Sequence, residues 1–149
     1  MKNSFEYIEK LINENNVEKA LDILNHNPDR SIWFQNARAV CLMRLNSPGN
    51  AVKTLTSIVY PNSFVMINPD APDKIKLNMA EAMLLTGNVA GAVKLIENSP
   101  QDCPLRNKLE TAIKKWKLSL PFWSRLAITL FGTLPYDRPI AVERPYGVI

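Results

Sequence analysis

"MLLTGNVAGAVKLIENSP", residues 83–100, decides how the rest of the chain is read, because its rhythm has sounded twice before. Residues 11–28 run "LINENNVEKALDILNHNP" and residues 42–61 run "LMRLNSPGNAVKTLTSIVYP". Each stretch begins on a large apolar residue, passes a polar corner and reaches an alanine nine places on: Ala20, Ala51 and Ala92. A branched apolar residue follows four later (Leu24, Leu55, Ile96), and a proline closes each unit (Pro28, Pro61, Pro100). Apolar residues at spacings of three and four on both sides of each corner read as two helices joined by a turn.

The second unit shows the pattern in full. Trp33, Ala37, Val40, Cys41 and Met43 supply one helical apolar face, and "NSPGNAV" turns the chain. Ser47 stands where a cap belongs, and Pro48 stands at a first helical position, where its missing N–H costs nothing. Ala51, Leu55 and Ile58 continue the second helix. In the third unit Leu77, Ala80, Met83 and Leu84 precede a Gly87-Asn88 corner. In the first, Phe5, Ile8, Leu11 and Ile12 precede Asn15-Asn16. The alanines have a physical reason: where two helices cross closely, only a small side chain lets the backbones approach.

A run of such hairpins resembles the tetratricopeptide repeat family, whose unit of about 34 residues is a helix–turn–helix with small residues at the crossing and a closing proline. The resemblance covers residues 4–100 and is carried by the alanines, corners and prolines, including Ala39 and Ala80 twelve places before Ala51 and Ala92. The alanines of successive units lie 31 and 41 residues apart, so the register is irregular. The resemblance implies an all-α, right-handed solenoid of about three helical hairpins. It would span residues 1–132 with a C-terminal capping helix, followed by an extended tail over 133–149.

The extra length in unit two is "PNSFVMINPDAPD", 61–73, where Pro61, Pro69 and Pro72 forbid helix and Asp73 is placed to cap the next helix. Phe64–Ile67 reads as a loop laying apolar side chains over a helix seam, or as the border of a groove. After residue 100, "PLRNKLETAIKKWK" opens on Pro104 and carries the stripe Leu105, Leu109, Ile113 and Trp116. Then "SLPFWSRLAITLFG", 119–132, offers Ser119 as a cap and Gly132 as a stop. Its near all-round apolar surface asks for a cover. Three covers are open: the end of the repeat stack, a homodimer contact, or a membrane surface. Phe122, Trp123, Leu126, Leu130 and Phe131 are the candidate contact residues. The last stretch, "TLPYDRPIAVERPYGVI", has three prolines in 17 residues and should be extended.

Catalysis finds little support. The lone histidine, His26, sits at a helix end, where it caps carbonyls or meets water. Cys41 lies on an apolar face, and Cys103 has only Arg106 near it in sequence. No phosphate-cradling loop or metal-ligand spacing occurs, and no cofactor is implied. Two cysteines make no disulfide framework, and the opening "MKNSFEYIEK" has no apolar run of a secretory signal, so the expectation is a cytoplasmic protein. The net charge of +4 is lopsided: residues 1–103 hold 10 Lys/Arg and 11 Asp/Glu, residues 104–149 hold 8 and 3. That basic third, interleaved with Trp116, Phe122 and Trp123, suits an anionic lipid surface better than nucleic acid, because its aromatics already belong to apolar stripes.

The functional expectation is therefore a non-catalytic adaptor that binds another protein. By the resemblance, first helices line a concave groove, and groove positions fall on Phe5, Glu9, Trp33, Asn36, Val40, Met43, Lys74, Leu77, Asn78 and Glu81, with Lys2, Ile12 and Leu84 beside them. One branch of the family clamps a peptide carboxylate with Lys, Arg and Asn. Here the matching places hold Phe5, Glu9, Ala37, Lys74 and Asn78, so an apolar or mixed segment is expected instead. Alternatives are a small secretion chaperone and a peripheral membrane adaptor working through helix 119–132. The tail, extended and basic, is a candidate to lie in the chain's own groove or in that of a second copy.

Overall fold

The structure, a computed structural model, describes residues 2–62, 66–132 and 138–149, the side chains of Lys2 and Asn3 excepted. Among these residues every regular element is a helix: α1 (Lys2–Asn13), α2 (Val17–His26), α3 (Ile32–Arg44), α4 (Pro48–Val59), α5 (Asp73–Thr86), α6 (Val89–Glu97), α7 (Pro104–Ser119) and α8 (Phe122–Phe131). Each of α1 to α6 packs on the next in sequence. In addition α1 touches α3, α3 touches α5 and α5 touches α7, so the odd-numbered helices form one continuous row with α2, α4 and α6 behind it.

Three corners share one geometry. Asn15 (φ 62°), Asn46 (φ 58°) and Gly87 (φ 91°) each take a left-handed conformation just past the first helix of a pair. The following amide reaches back five residues: Asn16 N–H to the Leu11 carbonyl (2.8 Å), Ser47 N–H to Leu42 (2.8 Å) and Asn88 N–H to Met83 (2.9 Å). These paired bonds satisfy the end carbonyls of a helix, and Asn and Gly are the residues that tolerate the positive φ. The repeated cadence thus corresponds to a repeated covalent path. Ala20, Ala51 and Ala92 lie five residues after each left-handed corner and are fully buried.

Burial explains why α3 and α5 lack a clear polar face. From Ile75 to Leu84 every residue of α5 is buried, because the helix meets α3, α4, α6 and α7 and carries the chain's end on its remaining side. Three polar residues lie inside that run, and each has partners. The Lys76 Nζ donates to the Pro69 carbonyl at 3.2 Å and approaches Asp73 at 3.5 Å; Asn78 and Glu81 bond to the tail. Arginines tie helix ends to neighbouring elements, which also suits the negative end of a helix dipole. Arg44 donates to the Ile12 carbonyl at 2.6 Å, Arg38 to Leu24 and Arg106 to Ser99.

Local details depart from sequence expectation in three places. Ser119 does not cap the last helix; it ends α7 and donates to the Trp116 carbonyl at 2.7 Å, while Pro121 precedes α8. Asp73 is the first residue of α5 rather than its cap, the position before it being Pro72. And α8 does not close the stack: it buries none of its residues, whereas α7 packs on α5 and α6 and covers the open end. In the 61–73 connection no helix forms among the described residues; Phe64 lies outside them, Met66 is exposed, and Ile67 packs against the core.

Cys41 is fully buried, and burial pushes its thiol from 9.0 up to about 12, against the opposing pull of Arg44 and Arg38. At pH 8 the folded chain therefore holds about 1,000-fold less Cys41 thiolate than an exposed thiol would. Iodoacetamide should label the half-buried Cys103 and leave Cys41 unmodified until denaturant is added, as read by peptide mass mapping. Because the folded pKa is the higher one, the stability this thiol contributes is complete below pH 9 and is lost as pH rises toward 12.

Candidate functional site

The tail enters the row of odd helices at the C-terminal end of α5, where the Ile140 amide donates to the Leu84 carbonyl at 2.8 Å, and runs toward the helix's N-terminal end. Ile140 and Val142 are buried there. Further along, the Gly147 amide donates to Glu81 Oε2 at 2.8 Å. Val148 is held through both of its main-chain groups: its N–H donates to Asn78 Oδ1 (2.9 Å), and its carbonyl accepts from Asn78 Nδ2 (2.7 Å) and Asn36 Nδ2 (3.2 Å). Lys74 Nζ donates to the Ile149 carbonyl oxygen at 2.8 Å.

Helical spacing explains this register. Lys74, Asn78 and Glu81 stand at i, i+4 and i+7, one above another on a single face of α5. Asn36, Val40 and Met43 repeat the spacing on α3, and Lys108, Ala112 and Lys115 repeat it on α7. The α3 set supplies an apolar floor: Val40 and Met43 are fully buried under Gly147. A Cβ on Gly147 would lie 2.7 Å from Val40 Cγ2 and 2.9 Å from Met43 Cε, and its φ of +70° disfavours any side chain. The α7 set supplies charge: Lys108 Nζ bonds both Glu81 Oε1 and the Pro145 carbonyl at 2.8 Å, and Lys115 approaches Glu143 at 3.4 Å. Arg44 closes the side with a 2.9 Å bond to the Tyr146 carbonyl. Burial lowers the Arg44 pKa, opposed first by Cys41 and then by Glu81.

The contacts fall mostly on main-chain atoms of the tail. Asn36, Asn78 and Glu81 are wholly buried polar groups, and most of their hydrogen bonds go to the tail, Asn78 also donating to Asn36 Oδ1 at 2.7 Å. An unpaired buried polar group costs about 1–3 kcal/mol, so this face is built for a peptide backbone lying across it.

Of the groove residues expected from sequence, Asn36, Val40, Met43, Lys74, Asn78 and Glu81 surround the tail. Leu77 is fully buried in α5. Trp33 stands 44% exposed one turn before Asn36, at the margin. Phe5 packs instead on Phe34, ring centres 5.3 Å apart, and Glu9 is half-exposed on α1; neither meets the tail in a described bond. The side chain of Lys2 lies outside the described residues. Lys108, Lys115 and Arg44 join the site without being expected from sequence. A signal for the first two exists, since Lys108 lies 34 residues after Lys74 and Lys115 lies the same interval after Glu81.

The other candidate surface is α8. Phe122 (62%), Trp123 (76%), Leu130 (63%) and Phe131 (75%) are exposed, Leu126 is half-exposed, and Leu118 at the end of α7 adds to them. Among the described residues, no group of three His, Cys, Asp or Glu could hold a metal ion, and no helix is long and apolar enough to cross a membrane. His26 is exposed, its Nδ1 2.9 Å from the Asp22 carbonyl. No family model matches the chain, and no curated protein or solved structure is significantly similar to it.

Proposed function

We propose that this protein is a non-catalytic adaptor of the tetratricopeptide-repeat kind, whose groove along α3, α5 and α7 takes an extended segment of a partner protein. The observation that carries the reading is the set of buried side chains (Asn36, Asn78, Glu81) bonded to main-chain groups of an extended strand. Recognition through backbone groups, with apolar floor contacts between them, is how extended peptides are bound generally. The 34-residue interval between the α5 and α7 triads agrees with the unit length of that repeat family and makes α7 the first helix of a fourth unit. A photo-crosslinking amino acid at Trp33, at the groove margin, tests the reading in the native host. One protein crosslinked there, and lost when Asn78→Ala is added, is the expected result. Crosslinks that ignore Asn78→Ala would remove it.

The exposed face of α8 favours a second, compatible reading, attachment to an anionic membrane surface. Apolar rings on a short helix, next to a region with eight Lys/Arg against three Asp/Glu, fit an interfacial anchor. The chain should co-sediment with phosphatidylserine-containing vesicles, bind neutral ones at least about tenfold less, and be released by high salt. The pair Trp123→Ser and Phe131→Ser should abolish the binding. Equal binding to neutral vesicles would exclude the electrostatic part.

A further inference from the structure

The docked tail defines what its groove selects. Four features of the groove are specific to the sequence seated in it. The carboxylate of Glu81 accepts an amide at a residue that must have no side chain, since Val40 and Met43 fill the space a Cβ would need. Asn78 pairs with both main-chain groups of the next residue, whose own side chain points out, Val148 being 42% exposed. Arg44 takes the carbonyl of the residue before the glycine, whose ring lies half-buried against the core, and the Arg144 guanidinium stacks 5.3 Å from that ring's centre. Lys108 takes the carbonyl of the proline before that.

From these contacts we infer that the partner segment is an extended Pro-aromatic-Gly-β-branched stretch, and that the tail's own Pro145-Tyr146-Gly147-Val148 occupies the groove in its place until it is displaced. This rests on the adaptor reading and narrows it to one class of ligand. The polar floor supports it: without a chain across them, Asn36, Asn78 and Glu81 lose most of their partners, so the groove is always filled, by the tail or by its competitor. A segment tethered in the same molecule competes at an effective concentration on the order of millimolar. A free peptide of ~10 μM intrinsic affinity is then weakened about 100-fold in the intact chain.

The test uses the full chain with Gly147→Val, which forces a side chain into the floor, and independently Val148→Pro, which removes the amide that Asn78 accepts while changing an exposed side chain. The probe is a fluorescent hexapeptide of sequence RPYGVI, with a second peptide in which valine replaces the glycine. Polarisation should show RPYGVI binding both variants at least about tenfold more tightly than it binds the unaltered chain, with the valine peptide inactive and Asn78→Ala removing the binding. Equal binding to the unaltered chain and the variants would overturn the displacement, and equal binding of the two peptides would overturn the glycine requirement. If both variants keep the helical circular dichroism of the parent yet bind neither peptide, a display selection of random peptides against Val148→Pro separates the causes. Binders that depend on Asn78 but lack the glycine pattern would overturn this inference and leave the adaptor reading standing. No binder that depends on Asn78 would overturn both.

Discussion

The amide of Gly147 should exchange with solvent about 100-fold faster once Glu81 is replaced by alanine, because that amide is buried and the Glu81 carboxylate is its acceptor. A hydrogen bond to a charged acceptor contributes roughly 1.5–3 kcal/mol, and in a local opening that energy appears directly as protection. Lys108→Met offers the sharper result. It leaves the acceptor in place, so a view confined to the hydrogen bond expects no change. Glu81, however, is wholly buried, and Lys108, 23% exposed, is the cation bonded to it. Removing that partner strands a carboxylate in a dry site, which is far costlier than removing a surface charge. Lifting the tail is the readiest way to hydrate it. Lys108→Met should therefore raise exchange at Gly147 and Val148 together, with the amides inside α3 and α5 still protected. Hydrogen exchange read by NMR resolves these sites. Full protection of Gly147 in Lys108→Met would show that Glu81 is satisfied without the lysine.

The same network shows where sequence reading succeeds and where it stops. Lys74, Asn78 and Glu81 can be placed on one face because helical spacing is periodic and local. That a lysine on α7 and an arginine at the end of α3 complete the site depends on which helices become neighbours, and a charged residue in either place reads equally well as a solvated surface. Asn15, Asn46 and Gly87 illustrate the favourable case: a left-handed corner demands a residue type, so the chemistry is visible in the letters. For α8 the apolar composition is legible, but its cover is not. Of the three covers open to it, the end of the stack is already filled by the long, regular α7. The tail's extended form is written in its prolines. Its seat is only one option among several, since nothing in "RPYGVI" alone specifies a floor of Val40 and Met43.

The crossing alanines are the part of the fold most exposed to a direct challenge. Ala51→Leu should destabilise the chain by about 3 kcal/mol, the upper part of the range for overpacking a filled core. Ala51 is wholly buried in the first turn of α4, on the same side as Leu55 and Ile58, and α4 is held between α3 and α5. Three added carbons there must push apart two helices that both carry tail-binding residues. Ala20→Leu makes the same change in α2, whose packed neighbours are α1 and α3 and which is near the end of the stack, so its hairpin can shift more cheaply. At roughly 2–4 °C per kcal/mol for a chain of this size, Ala51→Leu should lower Tm by about 6–12 °C. The fall for Ala20→Leu should be about half as large. Calorimetry on both variants decides it. Equal losses would mean that position in the stack does not matter and that each hairpin holds its crossing independently. A loss below about 1 kcal/mol at Ala51 would mean that the repeated alanine answers to something other than the close approach of the two helices.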